Sequence, residues 1–206
     1  MNIQSLGLSC FKITTKDTTV LVDPYDKSTG LTPPRGNVDI VVTSDKNNPQ
    51  VSFTQSLSGE FFLVNDPGEY DIKGVTIAGI PLKQEKGWAA AFLIEGEDIK
   101  ILSLGNIKDF NIKDEDLESL GDIDILILPV GGKSVLDADE AAKVVARVEP
   151  HIVIPSCYKS DGLSLDLDSK ETFIKEMGGK FEEMDKLSIK KKDFNFEETK
   201  LYILNN

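Results

Sequence analysis

The feature that most constrains this chain is the stretch from residue 123 to residue 154. Ile123-Asp124-Ile125-Leu126-Ile127-Leu128 is a nearly continuous apolar run, the pattern of a strand covered on both faces. Asp137 follows as a helix-capping residue, and Glu140 three positions on completes a capping box. Ala141, Val144, Val145 and Val148 then recur at helical spacing until Pro150 ends the pattern. His151-Ile152-Val153-Ile154 is a second buried strand. Strand, helix, strand over this length predicts a βαβ unit, and therefore parallel strands in a sheet with a helix on its face.

Upstream, residues 11–13, 18–22, 38–43, 61–64, 74–77, 90–94 and 99–103 are β-branched or aromatic runs bounded by turn residues, and read as strands. Glu95-Gly96-Glu97-Asp98 has the composition of a tight hairpin turn, so the later of these strands read as an antiparallel meander. Gly30, Pro33, Pro34 and Gly36 mark a loop, and the polar stretch 44–50 breaks the strand before it. A short helix is predicted over 114–120, stopping at Gly121. A last helix over 170–177 stops at Gly178-Gly179, and two or three strands follow, ending in Leu201-Tyr202-Ile203-Leu204. No linker interrupts this order, so residues 1–206 are expected to form one domain of the α/β (α+β) class, two sheets packed face to face with helices outside. At 206 residues the chain can bury a sizeable core without disulfides or metals.

Charge and rare residues narrow the function. The formal net charge is −12, a field that repels polyphosphate backbones and anionic lipid, so no nucleic acid and no membrane is expected as a partner. Lys190-Lys191-Lys192 is too short a basic run to reverse this and reads as a solvated strand end. No stretch approaches the roughly 18 apolar residues that cross a bilayer, and residues 1–5 lack the charged, apolar pattern of a secretory signal. Cys10 and Cys157 are the two cysteines, far apart and in no metal-binding spacing. They read as free thiols of a reducing compartment, which makes a cytoplasmic location the expectation. One histidine, His151, stands in the whole chain, so a histidine-ligated metal site is excluded. At a strand start it reads as a surface or capping residue. Trp88, the one tryptophan, reads as a rim aromatic.

Ligands in α/β folds sit on loops that follow buried strands. Four such loops stand out: residues 44–49, residues 66–70, Leu104-Gly105-Asn106, and Pro155-Ser156-Cys157-Tyr158. With their neighbours they carry a resemblance. Gly7-Leu8-Ser9-Cys10-Phe11, Val22-Asp23-Pro24, Pro67-Gly68-Glu69-Tyr70 with Gly74-Val75, Pro129-Val130-Gly131-Gly132 with Leu136-Asp137-Ala138, and Ile154-Pro155-Ser156-Cys157-Tyr158 follow in order at suitable spacing. Over roughly residues 5 to 160 the chain resembles the metallo-β-lactamase superfamily, in the branch of small metal-dependent hydrolases similar to ascorbate-6-phosphate lactonase. That resemblance implies a four-layer αββα sandwich with a cleft at one edge.

It also implies a pair of metal ions, yet the ligand positions have changed. The family's hallmark loop reads Thr-His-x-His-x-Asp-His. Here it reads Thr43-Ser44-Asp45-Lys46-Asn47-Asn48-Pro49. The bridging aspartate position is Asn106, the final histidine position is Cys157, and the N-terminal motif histidine is Leu8. After Ile80-Pro81, where a further histidine is expected, the chain offers Leu82-Lys83-Gln84-Glu85. A di-metal site needs imidazole and carboxylate donors to hold the ions and acidify bound water. No metal and no other cofactor is therefore expected.

The cleft candidates are Asp23, Ser44, Asp45, Lys46, Asn48, Glu69, Asn106 and Cys157. Three functions remain open. The chain can be a non-catalytic, metal-free relative that binds a protein partner, a small ligand or a second copy of itself. It can be a hydrolase of ester, lactone or phosphodiester type with a rebuilt site around Lys46, Asn48, Asn106 and Cys157. Or it can hold metal through Asp23, Asp45 and Glu69. Lys46 is expected to pair with Asp23, Asp45 or Asp66, or with Asn48 and Asn106 to take a small anion. Cys157 is expected to be a structural thiol more than a nucleophile, since no histidine stands beside it as a base.

Overall fold

Period-two burial builds the first sheet. The computed structural model describes residues 1–85, 87–194 and 198–206. Strand β1 (Asn2–Ser5) pairs antiparallel with β2 (Phe11–Thr14), and β2 with β3 (Thr19–Val22). After the short β4 (Gly36–Asn37), β5 (Ile40–Val42) runs parallel to β3. The single-turn helix α1 (Pro49–Ser52) and β6 (Leu57–Ser58), which pairs with β4, lead to β7 (Phe62–Val64), parallel to β5 at the sheet edge.

The second sheet begins as the antiparallel meander that the turn composition implies: β8 (Gly68–Ile72), β9 (Val75–Gln84), β10 (Gly87–Gly96) and β11 (Ile99–Ser103). The turn between β10 and β11 places Glu97 and Asp98 at φ of 53° and 62°, the two left-handed residues of a tight hairpin loop. Helix α2 (Asp114–Ser119) precedes β12 (Ile125–Pro129), α3 (Ala138–Val148) and β13 (Ile152–Ser156). β12 and β13 are parallel, and Asp137 with Glu140 forms the capping box at α3. Helix α4 (Lys170–Glu176), β14 (Glu182–Met184), β15 (Leu187–Ser188) and β16 (Lys200–Leu204) close the chain. β15 adds to the first sheet beside β1, while β16 and β14 add to the second beside β13.

The two sheets share one apolar core, in which Ile3, Ile13, Val22 and Val42 of the first meet Phe92, Ile101, Ile127 and Ile154 of the second. The opposite face of the second sheet carries Leu102, Leu126, Val153 and Ile203, sealed by Ala141, Val144 and Val145 of α3 and Phe173 and Ile174 of α4. Buried on both faces, β12 needs the unbroken apolar run seen in its sequence. The outer face of the first sheet is covered more thinly. Cys10, Leu21 and Val41 there pack with Tyr25, Leu31, Leu57 and Phe61 from loops and the short β6. The architecture is the expected α/β one of two mixed sheets with helices outside, and its fourth layer is mostly loop.

Three local departures have physical causes. β9 runs to Gln84 although it contains Pro81, which lies opposite Ala90. Ala90 N–H points out of that pair, to the Ser44 carbonyl at 2.7 Å, so Pro81 occupies a pair without ladder bonds, beyond the end of β8. The Pro67–Tyr70 segment, read as a turn, enters β8. Lys191 is not a solvated strand end: its Nζ meets both carboxylate oxygens of buried Asp124 at 2.8 Å. His151 stands half-buried before β13 with its ring 5.9 Å from that of Phe194.

Phe92 is 1% exposed between the sheets. Phe92→Ala is expected to cost about 3–5 kcal/mol through lost burial and an unfilled cavity, read as a lowered midpoint in urea unfolding.

Candidate functional site

The ends of β3, β5, β11 and β13 converge on one buried carboxylate. Asp23 leaves β3 with φ of 47° and is fully buried. Its backbone N–H donates to Val42 O at 2.8 Å, which holds it beside the residues after β5. There Ser44 donates twice, from its backbone N–H to Asp23 Oδ1 at 2.7 Å and from its hydroxyl to Oδ2 at 2.9 Å. Gly105, after β11, lies against this pair at φ of 64°, and a Cβ there would stand 2.3 Å from Ser44 Oγ. Only glycine allows that approach.

Burial is the largest influence on Asp23 and pushes its pKa from 3.8 up to about 7, against the opposing effect of the two Ser44 donors and the nearby Ser9 hydroxyl; the negative Asp45 adds to the rise. No cation among the described residues offsets it. Lys46 Nζ instead pairs with Asp66 at the exposed surface, one of the three partners expected for it and the one furthest from the buried carboxylate's needs. An exposed pair of this kind is worth little. The ionised form of Asp23 is disfavoured by an amount on the order of a few kcal/mol, and the two Ser44 donors keep the group in place.

Around Asp23 lies a set of buried hydroxyls. Ile101 and Ile154 face the core between the sheets, so period two along β11 and β13 turns Ser103 and Ser156 to that same interior. Both hydroxyls, with those of Ser9 and Thr43, have no hydrogen-bond partner in the protein among the described residues. Ser9 lies close enough to Asp23 and Cys157 to bias both toward ionisation but is aligned with neither. Cys157 is 3% exposed, at φ of 50°, and its N–H reaches Leu8 O at 3.4 Å. Burial pushes its thiol up to about 12, with Asp23 adding to the rise. Beside it is a cavity of about 20 Å³ lined by Leu8, Ser9, Asn106, Ser134, Val135 and Cys157 among others.

Of the sequence candidates, the structure brings Asp23, Ser44, Asn106 and Cys157 into this cluster. Asp45 is half-buried beside it, and its carboxylate accepts from Asn47 N–H in a local turn. Asn48 caps α1 by accepting from Gln50 N–H at 3.0 Å. Glu69 is exposed on β8, outside the residues that line the cavity. The anion site of Lys46, Asn48 and Asn106 is therefore not assembled: the lysine is paired elsewhere and Asn48 is a cap. Ser9 and Ser103 were not singled out by sequence. Ser9 stood inside a quoted motif, while a serine ending an apolar strand gives no signal of its own.

The pair of ions that the fold family implies does not fit the residues present. Ser44, Lys46, Asn48, Pro49, Asn106 and Cys157 occupy the donor positions, and Leu8 that of the N-terminal motif histidine. Among the described residues, no group of three or more His, Cys, Asp or Glu side chains comes together where an ion could be held. Yet Leu8, Asp23 and Cys157 all keep left-handed backbone, at φ of 52°, 47° and 50°. Such strain in non-glycine residues gathers at functional sites, and here it marks three positions that the resemblance assigns to the metal site's surroundings.

Comparison with known proteins agrees with the fold. Residues 2–156 match the description "Beta-lactamase superfamily domain". A UPF0173 metal-dependent hydrolase of Thermococcus onnurineus is 33% identical over 102 residues, which cover 45% of this chain and 45% of that one; in this match the chain spans under half of its relative's length. A UPF0173 protein of Pyrococcus furiosus is 24% identical over 204 residues, covering 86% of this chain and 90% of its own. Among solved structures, a protein of the metallo-beta-lactamase superfamily from Thermotoga maritima aligns with a TM-score of 0.82 at 27% identity, over 98% of this chain and 97% of that one. An isothiocyanate hydrolase from Delia radicum gut bacteria shares the fold at 11% identity, with a TM-score of 0.70 over 98% of this chain and 96% of its own.

An acid whose pKa is higher folded than unfolded stabilises the folded state at low pH. That contribution is complete below 3.8 and is lost as the pH rises to about 7. Asp23→Asn removes the titrating group. The variant is expected to equal or exceed the wild type in stability at about pH 8 and to gain nothing over it at about pH 4, as read from urea unfolding at both pH values.

Proposed function

The chain belongs to the beta-lactamase superfamily, and we propose that within it this protein is a metal-independent, non-catalytic member that acts by binding a protein partner or a small ligand. The observation that carries this reading is the Asp23–Ser44 pair. A carboxylate at the site's floor is fully buried and doubly hydrogen-bonded by the residue standing at the first histidine position of the hallmark loop. A hydrolytic site of this family works by holding ions that activate water. Here the groups at those positions hold each other.

The name metal-dependent hydrolase belongs to relatives such as that of Thermococcus onnurineus, and their chemistry requires donors that this chain has replaced. A rebuilt, metal-independent hydrolase would need Lys46, Asn48, Asn106 and Cys157 to act on one substrate. Against it stand the surface pair of Lys46 with Asp66, the capping role of Asn48, and a thiol that burial holds in its protonated form. The cavity of about 20 Å³ beside Cys157 is far smaller than the roughly 300–1,000 Å³ of common small-molecule sites. A binding role is supported instead at the surface. Phe62 and Leu63 are 48% and 41% exposed on the edge strand β7, and Trp88 is 65% exposed on β10. Exposed apolar edges are where other chains add.

Two measurements test the proposal. Untagged protein from cells supplied with zinc, manganese and iron is expected to carry well under one metal per chain by mass spectrometry; one or two equivalents would overturn the metal-independent reading. Iodoacetamide at about pH 8 is expected to leave both cysteines unmodified in the folded protein and to alkylate both after denaturation. Rapid native-state modification of Cys157 would instead favour the rebuilt enzyme.

A further inference from the structure

Ser9 presents a problem that its neighbours do not solve. Ser9 is 1% exposed, its hydroxyl has no hydrogen-bond partner among the described residues, and it lines the cavity of about 20 Å³. A buried hydroxyl left unpaired loses the hydration it had in the unfolded chain, a cost that native proteins meet with a partner or an internal water. Measured this way, a cavity needs about 10–15 Å³ to hold one water, and the water needs two to four polar partners. Besides Ser9, the lining offers the Asn106 and Gln50 amides, the Ser134 hydroxyl and the Cys157 thiol; the remainder is Leu8, Val51, Val135, Leu165 and Leu167. We propose that this cavity is a binding site for a single water molecule, held by Ser9 Oγ, the Asn106 side chain and Cys157 Sγ.

The chemistry of the lining selects water over an ion. A cation entering here would give up its hydration for the neutral side chains of Ser9, Ser134, Gln50, Asn106 and Cys157 and for aliphatic surface, with no carboxylate in the lining. An anion would meet the field of Asp23 without a compensating lysine, because Lys46 is held by Asp66. Burying an uncompensated charge is far costlier than burying a neutral, hydrogen-bonded molecule. Water both donates and accepts, so it suits a hydroxyl, an amide and a thiol at once. The site is thus a neutral occupant's place beside the position that the resemblance assigns to ions, and it stands whether or not the protein proves to be catalytic.

The test uses the full chain. A crystal structure at a resolution that shows ordered solvent is expected to carry one water peak within hydrogen-bond reach of Ser9 Oγ, without anomalous signal. Water-to-amide cross-peaks of a long-lived internal water are expected by NMR at Ser9 or Cys157. Ser9→Ala is expected to lower Tm by about 2–4 °C, the shift that loss of one hydrogen bond gives in a chain of this size. Absence of a peak, or a peak with the scattering and contacts of an ion, overturns the proposal. So does a Ser9→Ala variant whose Tm is unchanged or raised, since deleting an orphaned hydroxyl from a dry cavity relieves a cost rather than adding one.

Discussion

The contact between Ser44 and Asp23 is the constraint on which the rest of the site depends. It ties the end of β3 to the loop after β5 within the first sheet, and the Ser44 carbonyl then accepts from Ala90 of the second. One residue thus joins both sheets at their functional edge. The arrangement also fixes what Gly105 must be, because any side chain there would strike Ser44 and Asp23. Hydrogen bonds make this cross-link, and no cation among the described residues pairs with the carboxylate they hold. The consequence is a group poised near neutrality, raised by burial and restrained by its donors.

The framework around this contact keeps features that the present side chains do not explain. Left-handed backbone at Leu8, Asp23 and Cys157 costs conformational energy in each case. Close approaches such as Gly131 against the Cys157 carbonyl, where a Cβ would stand 2.0 Å away, show that the loops are packed as a rigid set. The sandwich persists because its stability resides in the apolar layers between and outside the sheets, and changes at the strand ends leave those layers intact.

Much of this was legible in the sequence where periodicity and local chemistry coincide. The β12–α3–β13 unit, its capping box and the β10–β11 turn follow from residues within a few positions of one another. The sequence pattern predicts a strand over 74–77, whereas β9 extends to Gln84 through Pro81, which its place beyond β8, with the Ala90 N–H turned to Ser44, permits. At the site, sequence gave the replaced ligand positions but not their new partners. The choice of Asp66 for Lys46 and the capping role of Asn48 depend on distances that no spacing encodes. Ser9 and Ser156 stand inside motif segments and Ser103 ends an apolar strand, but no spacing marks their hydroxyls as buried without a partner among the described residues.

The proposed metal-independent role requires that hydrogen bonds alone hold Asp23 in its buried place. The pH titration of the Asp23 carboxyl carbon by NMR, with and without added zinc or manganese, tests this. A midpoint near 7 that the metals leave unchanged is expected. A midpoint in the ordinary carboxylate range, or one displaced by either metal, would contradict it.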